Sequence, residues 1–350
     1  MHRISKEANI IKSFTIPVRY QKGSLLVLTL LGLAILGIYL KLLNPQNVIG
    51  LLKSANLNLV LISCLINIIY LTLYGFIWWY VLRSMKIKTR LPDCIVGGYI
   101  SLLGDIIIPS ASVSGEFLRM TYGMYRLSID GSIVLTSIAI HRLLNSLSFG
   151  LVVILGFIGI ILTSPITGYG QLLKYISLAI IAVFLTLCGL YFVFHSDRVA
   201  DYLYKRGWAK NLAEFLKKMS QYSTTFKRNL LDSIMIFVII TLRWILGTFI
   251  VFFLFLSVGY HVNYWYVLFA YPLYGISMLI PIGIPAMIGI MDTAMITIFV
   301  VLGIEKSIVV TVAILNRLVT TGLTILYISL ISSFLGLSDM LSKLTKSNKH

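Results

Sequence analysis

Six stretches of the chain are apolar for about 20 residues or more, the length a helix needs to cross some 30 Å of hydrocarbon. They are residues 24–43, 57–82, 132–162, 172–194, 231–258 and 307–335. Two further regions are apolar but interrupted. In the first, residues 94–108 and 116–126 flank a Pro/Ser/Gly break at 109–115; in the second, 264–280 and 290–302 flank a Pro/Gly break at 281–289. The arms of the first are too short to cross comfortably, so both regions read as re-entrant helical hairpins, 94–126 and 264–302. The pattern predicts an all-α polytopic membrane protein with about six full spans plus two hairpins, or eight or more spans if the hairpin arms cross.

Composition agrees. Of the 350 residues 58% are hydrophobic and 12% charged, against about 25% charged in an ordinary globular chain. The mean hydropathy is +0.94. So little polar surface cannot cover the apolar side chains, and lipid must serve as solvent. The net charge of +17 does not indicate nucleic-acid binding, because the basic residues sit in short blocks between apolar runs. Those blocks are the N-terminal segment, 83–90, 198–228 and the C-terminal tail, whereas 164–171 and 259–263 hold no Lys or Arg. By the positive-inside rule the basic blocks face the cytoplasm, which places both termini inside a multi-pass plasma membrane protein. The run at 24–43 is too long for a signal-peptide core, and no small-residue cleavage site follows it. Residues 197–228 read as one amphipathic helix on the inner leaflet, with Trp208, Leu212, Phe215 and Leu216 on a shared face, or as a solvated basic loop. Cys64, Cys94 and Cys188 have no metal-ligand spacing and read as packing residues.

The chain also matches itself. Residues 127–143 align without gaps to 302–318, pairing Ser132 with Ser307, Thr136 with Thr311, Arg142 with Arg317 and Asp130 with Glu305. One additional residue upstream aligns Pro109 with Pro285 and Glu116 with Asp292. In the predicted topology the span from Ser132 runs outward and the span from Ser307 runs inward. The chain thus divides into two inverted halves, 1–163 and 164–350, the second carrying the basic segment 196–229. Broken helices at matching places in inverted halves are the architecture of substrate-moving membrane proteins; an old duplication kept for folding is the competing explanation.

Candidate chemistry gathers at the breaks. Ser112, Ser114 and Gly115 supply hydroxyls and backbone amides beside a helix N-terminus, an anion site by geometry and dipole. Glu116 caps that end or pairs with an arginine. Arg119 is either a phosphate contact or an ordinary positive-inside residue, and Arg126 is the latter. Arg142 and Arg317 lie at matching depths in their spans, where an arginine costs about 3 kcal/mol, so partners are required. Glu116 and Asp292 are the natural ones, serving either structural salt bridges or a substrate site. Arg243, inside the fifth span, is a candidate phosphate contact. Asp105 is a coupling-proton site or an arginine partner, and His141 reads as packed. No nucleophile–base set, nucleotide loop or metal cluster is present, so neither an enzyme, a cofactor nor a bound metal is expected.

The run from Pro109 through Gly115, Glu116 and Arg119, followed by Leu127-Ser-Ile-Asp130 and Ile140-His-Arg142, resembles the flippase-like membrane domain of lysylphosphatidylglycerol synthases. The second copy, Pro281 to Pro285 through Asp292, then Asn316-Arg317, is similar to the C-terminal motif of that family. The resemblance covers nearly the whole chain. It departs where members usually carry Glu in place of Asp292, and an acid in place of Asn145, which leaves the partner of Arg142 open. No soluble aminoacyl-transferase segment follows, so synthesis of lysyl lipid is not expected. The resemblance implies translocation of a lipid with an anionic or phosphate headgroup, such as an aminoacylated phospholipid or a polyprenyl-phosphate-linked sugar. A membrane-embedded, non-transporting partner of a separately encoded glycosyl- or aminoacyl-transferase is the alternative, and a small-solute transporter a third. Self-association into a homo-oligomer stays open.

Overall fold

A computed structural model of the chain describes residues 45–107, 113–163, 189, 196–205, 210–279 and 284–334. Every regular element among them is a helix. In chain order these are α1 (Pro45–Lys53), α2 (Leu57–Ser84), α3 (Leu91–Ile107), α4 (Val113–Tyr125), α5 (Gly131–Thr163), α6 (Ser196–Lys205), α7 (Lys210–Arg228), α8 (Leu230–Ser257), α9 (Tyr264–Gly275), α10 (Ile290–Val301), α11 (Lys306–Arg317) and α12 (Leu323–Phe334). Short 3-10 turns cover Ile276–Leu279 and Pro285–Met287, and a π turn at Leu318–Gly322 joins α11 to α12.

Four helices among the described residues are long and apolar enough to cross a bilayer: Leu57–Ser84, Gly131–Thr163, Leu230–Ser257 and Lys306–Ile328. They correspond to four of the six expected spans; those expected at 24–43 and 172–194 lie outside the described residues. Large apolar side chains on the outer faces stay exposed at helical spacing. On α2 these are Leu57, Leu61, Leu65 and Ile69, and on α8 Ile234, Val238 and Leu242. Such stripes are stable only against lipid. The hairpin arms are shorter. At 1.5 Å per residue the 17 residues of α3 and 13 of α4 reach about 26 Å and 20 Å, against about 30 Å of hydrocarbon.

Close approach of backbones holds the bundle, as expected where lipid removes the hydrophobic drive between helices. A Cβ on Gly98 would lie 2.8 Å from Gly75 Cα, so α3 rests directly on α2. α2 and α8 run antiparallel: the Asn56 amide donates to the Ser257 carbonyl at one end (2.8 Å), and the Tyr80 hydroxyl donates to Asp232 at the other (3.1 Å).

The two ends of the bundle differ. Met85, Leu127 and Ile129 pack with Phe226 and Tyr222 of α7, and Lys218 pairs with Asp130 at 2.9 Å, so α5 starts at this basic end. α11 starts at the other end, where Leu302 and Ile304 pack with Val48, Val258 and Val262. Lys53 and Lys306 stand at that end too, so the separation of basic residues is strong but not complete.

The segment 197–228 departs from expectation. It forms two helices, α6 and α7, not one, and they fold back on each other. Asp201 and Lys217 come within 4.0 Å; in one continuous helix sixteen residues would hold them about 24 Å apart. The fold-back buries Ala200 and Leu216 between the pair, and Met219 and Phe226 are buried further along α7.

Candidate functional site

The break between α3 and α4 gathers two carboxylates, two arginines, a histidine and two aromatic side chains. α4 begins so close to α3 that a Cβ at Gly115 would fall 2.2 Å from the Ser101 carbonyl and 2.4 Å from Asp105. Gly115 is therefore needed for close packing. Its amide donates to Asp105 Oδ1 at 3.0 Å, and the Ser114 hydroxyl donates to the Gly104 carbonyl at 3.1 Å. Capping at this end thus falls to Asp105 and not to Glu116, because the longer Glu116 side chain reaches away from the helix start toward the arginines. Ser112 lies outside the described residues.

Glu116 is the hub. Its two oxygens accept from Arg119 Nη2 and from Arg142 Nε, and the Tyr74 hydroxyl donates to Oε1 at 3.0 Å. Arg142 Nη2 also lies 3.7 Å from Asp105 Oδ2. Arg142 is thus paired with Glu116, with Asp105 beside it. Arg119 is fully buried, which removes the positive-inside reading: it sits over the rings of Tyr74 and Trp78, with centroids at 5.1 and 5.4 Å, and its Nη1 is 3.0 Å from His141 Nδ1. His141 is packed, as expected, but against this arginine and the Tyr74 ring. A further arginine, Arg243 of α8, stacks 3.9 Å from the Tyr70 ring centroid and donates from Nε to the Tyr70 carbonyl at 3.0 Å.

The second break is built differently from like parts. Asp292 Oδ2 accepts the Gly289 amide at 2.9 Å, and its Oδ1 accepts Arg317 Nε at 2.7 Å. Arg317 Nη1 and Nη2 donate to the carbonyls of Ala286 (2.7 Å) and Met287 (2.9 Å). Both of those residues have φ of 51°, a left-handed conformation that costs a side-chain-bearing residue about 1–2 kcal/mol. The guanidinium thus clamps a strained turn. α3 packs against this turn, so the two breaks are neighbours in space.

Buried acid–arginine pairs beside two broken helices are the arrangement that the motif residues predicted, and the sequence profile described as the lysylphosphatidylglycerol synthase TM region matches residues 25–327. The chain belongs to that family. No curated protein matches it as a relative. Membership and the apolar helices together make it a multi-pass membrane protein.

Within this member, sequence reasoning missed Tyr70, Tyr74 and Trp78. They recur every four residues along α2, so one face of that helix lines the arginines; the spacing was the signal. Among the described residues no cluster of three His, Cys, Asp or Glu side chains is placed to hold a metal ion.

Proposed function

We propose that this member of the family moves lipids with a phosphate-bearing headgroup between the leaflets of the plasma membrane, with its basic end in the cytoplasm and without a catalytic step. The observation that carries this reading is Arg142. It lies deep in α5, yet a third of its side chain (34%) remains accessible, and its hydrogen bond to Glu116 uses Nε alone. A partly accessible guanidinium hydrogen-bonded through Nε, with Nη2 3.7 Å from Asp105, can offer its terminal nitrogens to a phosphate. The opposite starting ends of α5 and α11, each bearing its arginine beside an acid-capped break, support a construction from two inverted halves, and such halves suit alternating access from both leaflets.

The test is leaflet exchange of fluorescent phospholipids in proteoliposomes of the full chain. The wild type should equilibrate the labelled lipid at least tenfold faster than empty liposomes, and Arg142→Ala should fall to near the empty-liposome rate. Wild-type liposomes that exchange no faster than empty ones, for anionic and zwitterionic headgroups alike, would overturn it in favour of a non-transporting partner of a separate transferase.

A further inference from the structure

The two carboxylates of the first break are not bound alike. Glu116 has both oxygens engaged, by Arg119, Arg142 and the Tyr74 hydroxyl. Asp105 has one. Its Oδ1 accepts the Gly115 amide at 3.0 Å, while Oδ2 accepts no hydrogen bond among the described residues and lies 3.7 Å from Arg142 Nη2. That separation suits an ion pair but is longer than a hydrogen bond. The Asp105 side chain is mostly buried, at 10% exposed, yet its free oxygen is not enclosed, in contrast to Nε of Arg119. It can therefore exchange a proton at the opening where Arg142 is accessible.

The groups around Asp105 leave it that freedom. Glu116 and Arg119 of α4 are paired with each other, and the Tyr74 hydroxyl of α2 is spent on Glu116. His141 of α5 is turned to Arg119. α3 also packs on the turn Pro285–Met287 and on α12. Behind that turn Arg317 is held by Asp292 and two carbonyls, and Tyr327 of α12 bonds Tyr99. Arg142 is thus the cation left to Asp105. Ionised, the carboxylate competes for Nη2 with any anion that arrives; protonated, it is neutral and lets the terminal nitrogens go. Conversely, an anion on Arg142 disfavours a second negative charge in so dry a place. Proton and anion therefore favour each other's binding, and by the same factor in both directions.

We infer that Asp105 is a proton-binding site that controls Arg142, so that the anion Arg142 receives enters together with a proton taken from water. The inference rests on the reading of Arg142 as a phosphate contact, but it concerns linked binding and can be read without transport. The Gly115 amide fixes Oδ1 in either protonation state, so the proton changes the charge beside Arg142 without moving the start of α4. The second break has no counterpart: Asp292 spends one oxygen on the Gly289 amide and the other on Arg317. Proton control is thereby confined to the half whose arginine stays accessible.

The experiment reads binding and protons together. The purified full chain in a neutral detergent is titrated with dihexanoyl phosphatidylglycerol, whose phosphodiester keeps its single charge from mildly acid to mildly alkaline pH. Thermal unfolding should show wild-type binding about tenfold tighter on the acid side, a middling factor for coupled sites. In weakly buffered alkaline solution containing a pH dye, lipid addition should draw protons from the solution. Asp105→Asn keeps an oxygen for the Gly115 amide and removes the charge. It should bind on the alkaline side as tightly as wild type does on the acid side, and take up no proton. Arg142→Met should lose the lipid response at both. Wild-type binding indifferent to pH, or lipid addition without proton uptake, would overturn the inference with no variant needed. So would Asp105→Asn that keeps the wild-type pH difference or binds weakly throughout, which would make the carboxylate a prop of the site. An unchanged response in Arg142→Met would overturn it too, because the anion would then sit elsewhere. A protein that shows linked binding but no leaflet exchange keeps this inference and loses the transport reading. One that exchanges lipid while its binding ignores pH keeps transport and loses this inference.

Discussion

The two broken helices start from matching sequence positions and end with different divisions of labour. At the first break two carboxylates share the work: Asp105 holds the Gly115 amide, and Glu116 is left to bind Arg119, Arg142 and Tyr74. At the second, Asp292 does both jobs alone, taking the Gly289 amide on one oxygen and Arg317 on the other. Its side chain is one methylene shorter than glutamate, and that keeps it over the helix start. The arginines differ accordingly. Every nitrogen of Arg317 has a protein acceptor, whereas Arg142 hydrogen-bonds through Nε, keeps Nη2 3.7 Å from Asp105 and stays a third open. Equivalent arginines therefore have unequal capacity left for a ligand. The second break spends its arginine on its own backbone, and the first leaves part of its arginine accessible.

The largest effect expected from this difference is at Glu116. Glu116→Ala strands two arginines at once, one of them fully buried, and breaking a buried ion pair costs about 3–5 kcal/mol. Asp292→Ala strands one arginine that keeps two backbone carbonyls, so its loss should be smaller. Unfolding in detergent would rank the two. Replacing both members of the enclosed pair, Glu116→Gln with Arg119→Met, should recover part of the loss, since the buried cation goes with its partner. Equal losses for Glu116→Ala and Asp292→Ala would break the comparison.

A middle-sized effect is expected at the clamp. Arg317→Met removes four charge-assisted hydrogen bonds, one of them a long one to Thr321, and should cost about 2–3 kcal/mol. Adding Ala286→Gly should return about 1 kcal/mol, because glycine tolerates the φ of 51° that the guanidinium now stabilises. The double variant should also exchange lipid faster than Arg142→Ala in the same liposomes. If it exchanges as slowly, Arg317 binds the cargo and the assignment of a purely holding role fails.

How much of this was legible beforehand varies with the kind of signal. The pairs Glu116–Arg142 and Asp292–Arg317 could be read from sequence because an ionised group inside an apolar run demands a partner and few acids are available. The spans were legible for the same reason of solvent: a uniformly apolar run has one stable environment. Which acid capped the first hairpin was not legible, because Asp105 and Glu116 both lie within reach of that break, and the choice depends on how closely Gly115 lets α4 approach α3. The burial of Arg119 was hidden because a basic residue near a loop has the same composition whether it turns inward or outward. The fold-back of α6 on α7 was missed because amphipathic spacing reports a face and not what covers it.

The smallest effect sits where the two copies diverge at the start of their long spans. Asp130 accepts the Ser132 amide at 2.9 Å and the Ser132 hydroxyl on Oδ1, and Lys218 of α7 on Oδ2. Its counterpart Glu305 is exposed and accepts the Ser307 hydroxyl, but it makes no side-chain cap on α11. Partial burial raises the Asp130 carboxyl, but the hydrogen bonds from Ser132 and Lys218 prevail and hold it below its ordinary value. A carboxyl whose pKa is lower in the folded state binds fewer protons there. Its contribution is therefore complete above the ordinary aspartate range, about 3.9, and is lost as pH falls through the depressed folded value. The pair is partly solvated, with side-chain exposures of 31% for Asp130 and 40% for Lys218, which limits its worth to less than about 1 kcal/mol. Asp130→Asn should thus lower stability slightly at neutral pH and flatten the acid limb of the unfolding profile. High salt should shrink the difference from wild type, and Glu305→Gln should lower stability less. If Asp130→Asn leaves the acid limb as steep as in wild type, the Lys218 contact does not fasten α7 to the first long span, and the two copies are more alike at their entrances than their geometry implies.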